Sequence, residues 1–461
     1  MRDIAFLLCF MGPLVLSWGR AYISVLTWAW IAILTPNFFM YGIAGSVPYN
    51  KLIAGVTFLA ILTSKERKKF RVDGTGAVLL MFLVQLAIAQ FSALTDQSVG
   101  WEILDKFWKI VVFFFLVLAF VDSPNRFHAL VIATCLGIDF DACGGGLKFF
   151  ASGGSYHSVG SPSWGDNNHE ALIMLMGIPL LTYVRAVSTE KLMRLATSVG
   201  IVLSVFGVVA TQSRGGLIGL MICAGFGVLR SRHKVGFGIV VAVLAMITLY
   251  VAGAHYTKRM DTISSADQDD SFMGRVVAWK ISTLIAMDNP MTGGGIHSVT
   301  APSVYDYYAR DFDKLSFIST PSGPGHAHAA HSIYFEVLGD SGFAGLGLFL
   351  TIVISSLLRA WRCKNIARHH PELRWAYVLA GQLQTSIVVY MVTGAALSAG
   401  YYDLPYLTFS IVSALSSYVT AQVAAKKKAV AAEARSVARA LARPMPPGGL
   451  APQPAGFGPR G

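Results

Sequence analysis

Residues 202–229 read VLSVFGVVATQSRGGLIGLMICAGFGVL. Two apolar runs flank the six residues TQSRGG (211–216), and neither run alternates apolar with polar as a half-buried strand would. Extended outward, the runs cover 192–212 and 214–230, close to the ~20 residues of helix that cross a hydrocarbon core. The same texture recurs near 4–19, 21–35, 47–63, 75–95, 106–122, 126–142, 168–186, 235–253, 342–358, 375–397 and 404–423. The first two segments are short and read equally as a tight hairpin around Gly19-Arg20, so the expectation is about twelve spans rather than a fixed parity. The composition agrees: 54% of the 461 residues are hydrophobic and 13% charged, with a mean hydropathy of +0.56, where a soluble chain carries roughly a quarter charged residues. The expected fold class is all-α, a polytopic membrane helix bundle. Soluble enzyme, disordered chain, collagen and disulfide scaffold are excluded, as are the ten-residue alternating strands of a membrane barrel.

The net charge of +12 does not indicate a nucleic-acid partner. Of the 37 Lys/Arg, 23 fall in four short connections and the tail: 64–71, 185–194, 230–234, 359–374 and 424–461. Such clusters mark the cytoplasmic side and contact anionic lipid. Working outward from them places 143–167 and 254–330 on the opposite face. The 254–330 connection is 77 residues long and carries six Lys/Arg against eight Asp, as expected of an external loop. Four regions follow: an N-terminal bundle (1–253), the large external loop (254–330), C-terminal helices (331–423) and a basic, Pro/Gly-rich tail (424–461) that begins as an Ala/Lys/Arg helix and ends disordered. Within the loop, 274–287 has helical spacing. Residues 303–315 put Tyr305, Tyr308, Phe312 and Leu315 on one face, suiting a helix at the membrane surface. Cys9, Cys135, Cys143, Cys223 and Cys363 are scattered and form neither a disulfide framework nor a CxxC site. The N-terminal run reads as a retained membrane segment, not a signal peptide.

Against so apolar a background, a few polar residues stand out. Arg214 sits in TQSRGG at the start of a new helix, where free N–H groups and a guanidinium fork suit a phosphate. The competing reading is an interfacial arginine snorkelling to headgroups. Arg275, in Gly274-Arg275…Trp279, would clamp an anion from the external loop, or pair locally with Asp267, Asp269 and Asp270 and stack on Trp279. His326, His328 and His331 invite a metal, but no acidic or thiolate residue is interleaved, so no metal or other cofactor is expected. A single base at His331 fits better. It opens the helix HSIYFEVLG, whose positive end disfavours imidazolium, and a neutral imidazole beside a hydroxyl is a general base near pH 7. An anchoring interfacial histidine is the alternative. Asn168 begins a further span in GDNNHEALIMLMGIPLL (165–181), where Asp166 or Asn167 would cap the helix. Gly293–Gly295 is a turn that could approach a phosphate.

In this order and spacing, TQSRGG, GRxxxW, NPMTGGG and HSIYFEVLGDSGFAGLGLF resemble the O-antigen ligase/polymerase superfamily. The wording of HSIYFEVLGDSGF, the GDNN start of a span and the beginning of the chain are most similar to its O-glycosylation ligase branch associated with exosortase A. The resemblance covers roughly residues 1–420 and departs at His331-Ser332, where the common motif has His-Asn. It implies a bacterial inner-membrane glycosyltransferase of GT-C-like type, inverting and metal-independent, with its active face and large loop in the periplasm. The donor would be an undecaprenyl-pyrophosphate-linked glycan, and the acceptor a hydroxyl of a glycan, a lipid or a protein Ser/Thr. By the same resemblance His331 would be the base, and Arg214 and Arg275 would hold the pyrophosphate. Asn168, at the start of its span, is a further substrate-binding candidate. A polymerase that extends the lipid-linked glycan is the alternative within the family. A polysaccharide transporter is the alternative from another class, although the spans are nearly uncharged and show no repeated halves.

Overall fold

The apolar runs form helices in the computed structural model, which describes residues 2–66, 70–95, 98–161, 164–231, 233–236, 238–239, 241–243, 246, 270–315, 320 and 326–441. In chain order they are α1 (Arg2–Leu16), α2 (Ala21–Leu34), α3 (Gly42–Ser46), α4 (Tyr49–Thr63), α5 (Gly74–Phe91), α6 (Ser98–Phe120), α7 (Pro124–Ala151), α8 (Asn167–Val187), α9 (Lys191–Ala210) and α10 (Arg214–Arg230). Then follow α11 (Asp270–Asp288), α12 (Pro302–Tyr308), α13 (Ile333–Ala367), α14 (Arg374–Thr393) and α15 (Asp403–Leu441). Two-residue strands β1 (Gly160–Ser161) and β2 (Gly165–Asp166) pair antiparallel just before α8. Much of the expected segment at 235–253, the 254–269 part of the external loop, residues 316–319 and 321–325, and the end of the tail from 442 lie outside the described residues.

Among the described residues, seven helices are long and apolar enough to cross a membrane: α5, α7, α8, α9, α13, α14 and α15. The remaining expected segments fall short for physical reasons. Helices α1, α2 and α4 have 15, 14 and 15 residues and α10 has 17, below the ~20 that span a hydrocarbon core. Helix α6 is 23 residues long but carries Glu102, Asp105, Lys106 and Lys109.

Helix α8 is the axis of the bundle. It is apolar all round and buries fifteen of its 21 residues, as a helix does when it is surrounded by others. Small residues let its neighbours close in. A Cβ on Gly146 of α7 would lie 2.2 Å from the Leu203 carbonyl of α9, and one on Gly219 of α10 would lie 2.3 Å from Leu175 of α8. The outer surfaces of the bundle expose large apolar side chains, among them Leu8, Phe91, Leu192 and Met221, the faces a bilayer would cover.

Helix α13 runs through IYFEVLGDSGF (333–343) with a kink at Gly342, whose φ of 69° is left-handed. The kink frees carbonyls inside the helix, and the NPMTGGG turn supplies their donors. Gly294 N–H donates to the Gly339 carbonyl at 2.8 Å and Gly295 N–H to that of Asp340 at 3.0 Å. Asp340 itself accepts from His297 N–H at 2.9 Å and from the Tyr401 hydroxyl at 2.9 Å. The three glycines are therefore a packed wedge rather than an open phosphate loop: a Cβ on Gly293 would lie 2.5 Å from Gly342 N.

The aromatic face at 303–315 corrects an expectation. Tyr305, Tyr308 and Phe312 do not lie on the bilayer; they are buried with Val277, Ala278 and Ile281 of α11 in a separate core. Packing the aromatic face on the apolar side chains of α11 takes both out of water. Lys280 of α11 is buried there too, its amine donating to Thr320 Oγ1 at 3.0 Å.

Candidate active site

Four chain segments meet at the end of the bundle where α8, α10 and α13 begin. The first is the start of α8. Asp166 caps it, accepting the N–H groups of Asn168 (2.9 Å) and His169 (3.0 Å). Its Oδ1 also lies 2.8 Å from His169 Nδ1. Burial works against the Asp166 carboxylate, but the hydrogen bonds from the His169 ring and the two amides outweigh it and hold its pKa below the usual range.

The second segment is TQSRGG. Asn167 Nδ2 donates to the Thr211 carbonyl at 2.9 Å, and the Ser213 hydroxyl donates to Asn168 Oδ1 at 2.7 Å. Ser213 in turn caps α10, accepting from Gly216 N–H at 3.0 Å. Gln212 takes a left-handed φ of 50° to make the turn. Gly216 packs where a Cβ would come 3.2 Å from Ala171 of α8, so α10 starts directly on α8. Arg214 is the first residue of α10 and half-buried. The helix starts at Arg214, where the sequence pattern put its beginning. Asn168 acts here as the anchor of that turn, a tie that joins residues 45 positions apart.

The third segment is α11 with the stretch 326–332. The Trp279 indole N–H donates to the Ala330 carbonyl at 2.7 Å, and its ring stacks on Phe335 with centroids 5.1 Å apart. A Cβ on Gly274 would come 3.2 Å from His328, so the glycine of GRxxxW makes room for that ring and the tryptophan pins the chain beside His331. Arg275 projects from the same helix, half-buried and close enough to His331 to act on its charge.

His331 does not open α13. The helix begins at Ile333 with Ser332 as its N-cap, and His331 stands outside it with a left-handed φ of 43°. Its imidazole is nevertheless held below the ordinary histidine pKa. Burial is the main cause; Arg275, His169 and His328 push the same way and Asp166 opposes them. The helix dipole invoked from sequence is thus replaced by desolvation and the neighbouring Arg275 guanidinium. The Nδ1 atom is buried without a hydrogen-bond partner among the described residues.

The fourth segment, LSAGYYD (397–403) between α14 and α15, drew no attention in the sequence. The Ser398 hydroxyl accepts His331 N–H at 2.9 Å, and the Ser398 carbonyl lies 2.7 Å from His169 Nε2. Tyr402 stacks on His169, with centroids 5.0 Å apart. Below, Glu336 of α13 accepts Gly400 N–H at 2.8 Å, fixing this link to the start of α13.

One run of contacts therefore joins the residues singled out in sequence: His331 to Ser398 to His169, then Asn168 to Ser213 beside Arg214, with Arg275 acting on His331 from α11. A depressed imidazole, two guanidinium groups and a helix N-terminus at one end of an apolar bundle can bind an anionic leaving group and take a proton from a hydroxyl. Among the described residues, no three Cys, His, Asp or Glu side chains gather as a metal-ligating group.

Residues 199–350 match the O-Antigen ligase family, and residues 1–189 match a family of unknown function (DUF5935). No curated protein matches the chain. Arg214, Arg275 and His331 all fall within the ligase match, whereas Asn168 and His169 lie in the other. The chain is thus a helical membrane protein with several spans, and its residues 199–350 are similar to the O-Antigen ligase family.

Proposed function

We propose that this protein is a glycan ligase of the bacterial inner membrane, GT-C-like in architecture, acting at the periplasmic face and allied to the O-glycosylation ligases associated with exosortase A. The donor is an undecaprenyl-pyrophosphate-linked glycan and the acceptor a hydroxyl on a glycan, a lipid or a protein Ser/Thr. The acceptor oxygen attacks the anomeric carbon, a new glycosidic C–O bond forms, and the C–O bond to pyrophosphate breaks with inversion. The acceptor proton passes to His331, and the departing negative charge meets Arg214, Arg275 and the N-terminus of α10. No divalent metal takes part. The observation that supports this reading best is the contact run that brings a depressed histidine and a helix-start arginine, far apart in sequence, to one end of the bundle.

The test uses purified protein, the lipid-linked glycan and candidate acceptors. His331→Ala is expected to lower the single-turnover rate by about 10²–10⁴-fold with donor binding retained, because the base touches the acceptor. Arg214→Ala lowers donor affinity and turnover together, and Arg214→Lys restores only part, since a point charge replaces a planar fork. Transfer by His331→Ala at near wild-type rate sinks the mechanism. Lengthening of the lipid-linked glycan without transfer to a second acceptor assigns the polymerase activity instead.

A further inference from the structure

A general base is ordinarily aimed by a side chain bonded to its second ring nitrogen. His331 lacks that arrangement: its Nδ1 is buried and meets no partner among the described residues. Its backbone is constrained instead. A φ of 43° is a conformation that a residue with a β-carbon rarely adopts without external restraint. Two hydrogen bonds restrain it, one on each side of the peptide plane that precedes the residue. Trp279 holds the Ala330 carbonyl at 2.7 Å and Ser398 Oγ holds His331 N–H at 2.9 Å.

Ser398 is itself clamped. Its carbonyl takes a hydrogen bond from His169 Nε2 at 2.7 Å, while His169 Nδ1 lies 2.8 Å from Asp166 Oδ1. Asp166 is anchored by the amides at the start of α8, the most buried helix of the bundle. We infer that Asp166, His169 and Ser398 form a positioning chain that holds the His331 backbone in its left-handed conformation and so aims the imidazole at the acceptor. None of the three need touch the donor or acceptor; they act through His331. The inference rests on His331 being the base.

The experiment is single-turnover transfer and donor binding measured side by side for Ser398→Ala, Ser398→Thr, His169→Asn and His331→Ala. Ser398→Ala is expected to slow transfer by about 10- to 100-fold, the cost of a base displaced by about an ångström, with donor affinity unchanged. Ser398→Thr keeps the acceptor oxygen and restores most of the rate. His169→Asn, whose short amide does not reach the Ser398 carbonyl, shows the same loss of rate with donor affinity retained and serves if Ser398→Ala does not fold. A wild-type rate for Ser398→Ala, or a loss of donor affinity equal to the loss of rate, overturns the positioning role while an inactive His331→Ala leaves the base assignment standing. A fully active His331→Ala instead removes the base assignment and the positioning chain with it.

Discussion

Replacing Asn168 with alanine separates a structural tie from a substrate contact. In the native turn the Ser213 hydroxyl does two things: it donates to Asn168 Oδ1 at 2.7 Å and accepts from Gly216 N–H at 3.0 Å. Ser213 is 4% exposed, so water does not readily replace a lost acceptor. A neutral hydrogen bond contributes about 1 kcal/mol net, and a buried hydroxyl left without an acceptor costs about 1–3 kcal/mol. The neighbouring clamp from Asn167 to the Thr211 carbonyl, at 2.9 Å, survives the substitution and keeps the turn in place. The expected loss is therefore in the lower part of that range, about 1–2 kcal/mol, equivalent to about a 5- to 30-fold change in an equilibrium constant. Because Arg214 follows Ser213 directly, donor affinity should fall by that factor, and thermal stability in detergent should fall as well. Asn168→Asp keeps the acceptor for Ser213 but sets a carboxylate beside Arg214. It should retain stability and still bind the anionic donor poorly. The assay pairs a thermal melt with binding of the lipid-linked glycan for both variants. Wild-type donor affinity in Asn168→Ala would falsify the link between this anchor and the phosphate site.

Three further outcomes are expected. Since burial and Arg275 hold the His331 pKa below the ordinary 6.5, the imidazole is neutral at pH 7 and the rate falls only as pH drops through that lowered value; Arg275→Gln removes a neighbouring cation and should move the acid limb of the rate at saturating donor to higher pH, and a limb that stays in place refutes the coupling. Gly293→Ala places a Cβ 2.5 Å from Gly342 N at a φ of 62°, so backbone must shift in α13, and a melt should show a loss of at least about 2 kcal/mol; an unchanged melting temperature contradicts the wedge. Exhaustive chelation should leave turnover intact, because His326 and His328 have no acidic or thiolate companion with which to form a ligand set, and activity lost on chelation and restored by zinc would reverse that assignment.

The chain's class was legible from composition and run length, because about 20 apolar residues have few stable options besides a membrane helix. Helix starts near Asn168 and Arg214 were legible as well; of the two caps the first pattern offered the structure uses Asp166, and it adds Ser213 as the cap of α10. The candidate site residues could be picked out by their rarity in an apolar chain: Arg214, Arg275, His331 and Asn168. Their relations could not. Ser398 is an ordinary serine in a short link, and its hydroxyl meets His331 N–H across 67 positions of sequence. His169 was visible only as a polar residue at a helix start, and its second ring nitrogen finds its partner 229 residues away. The reason the imidazole of His331 is depressed also changed, from a helix dipole to burial beside Arg275, because α13 begins two residues later than the sequence pattern suggests. Periodicity and capping are local properties, carried by residues a few positions apart. The left-handed backbone of His331, the kink at Gly342 and the burial of the 303–315 aromatics on α11 depend on which segments pack together, and only the tertiary structure sets that.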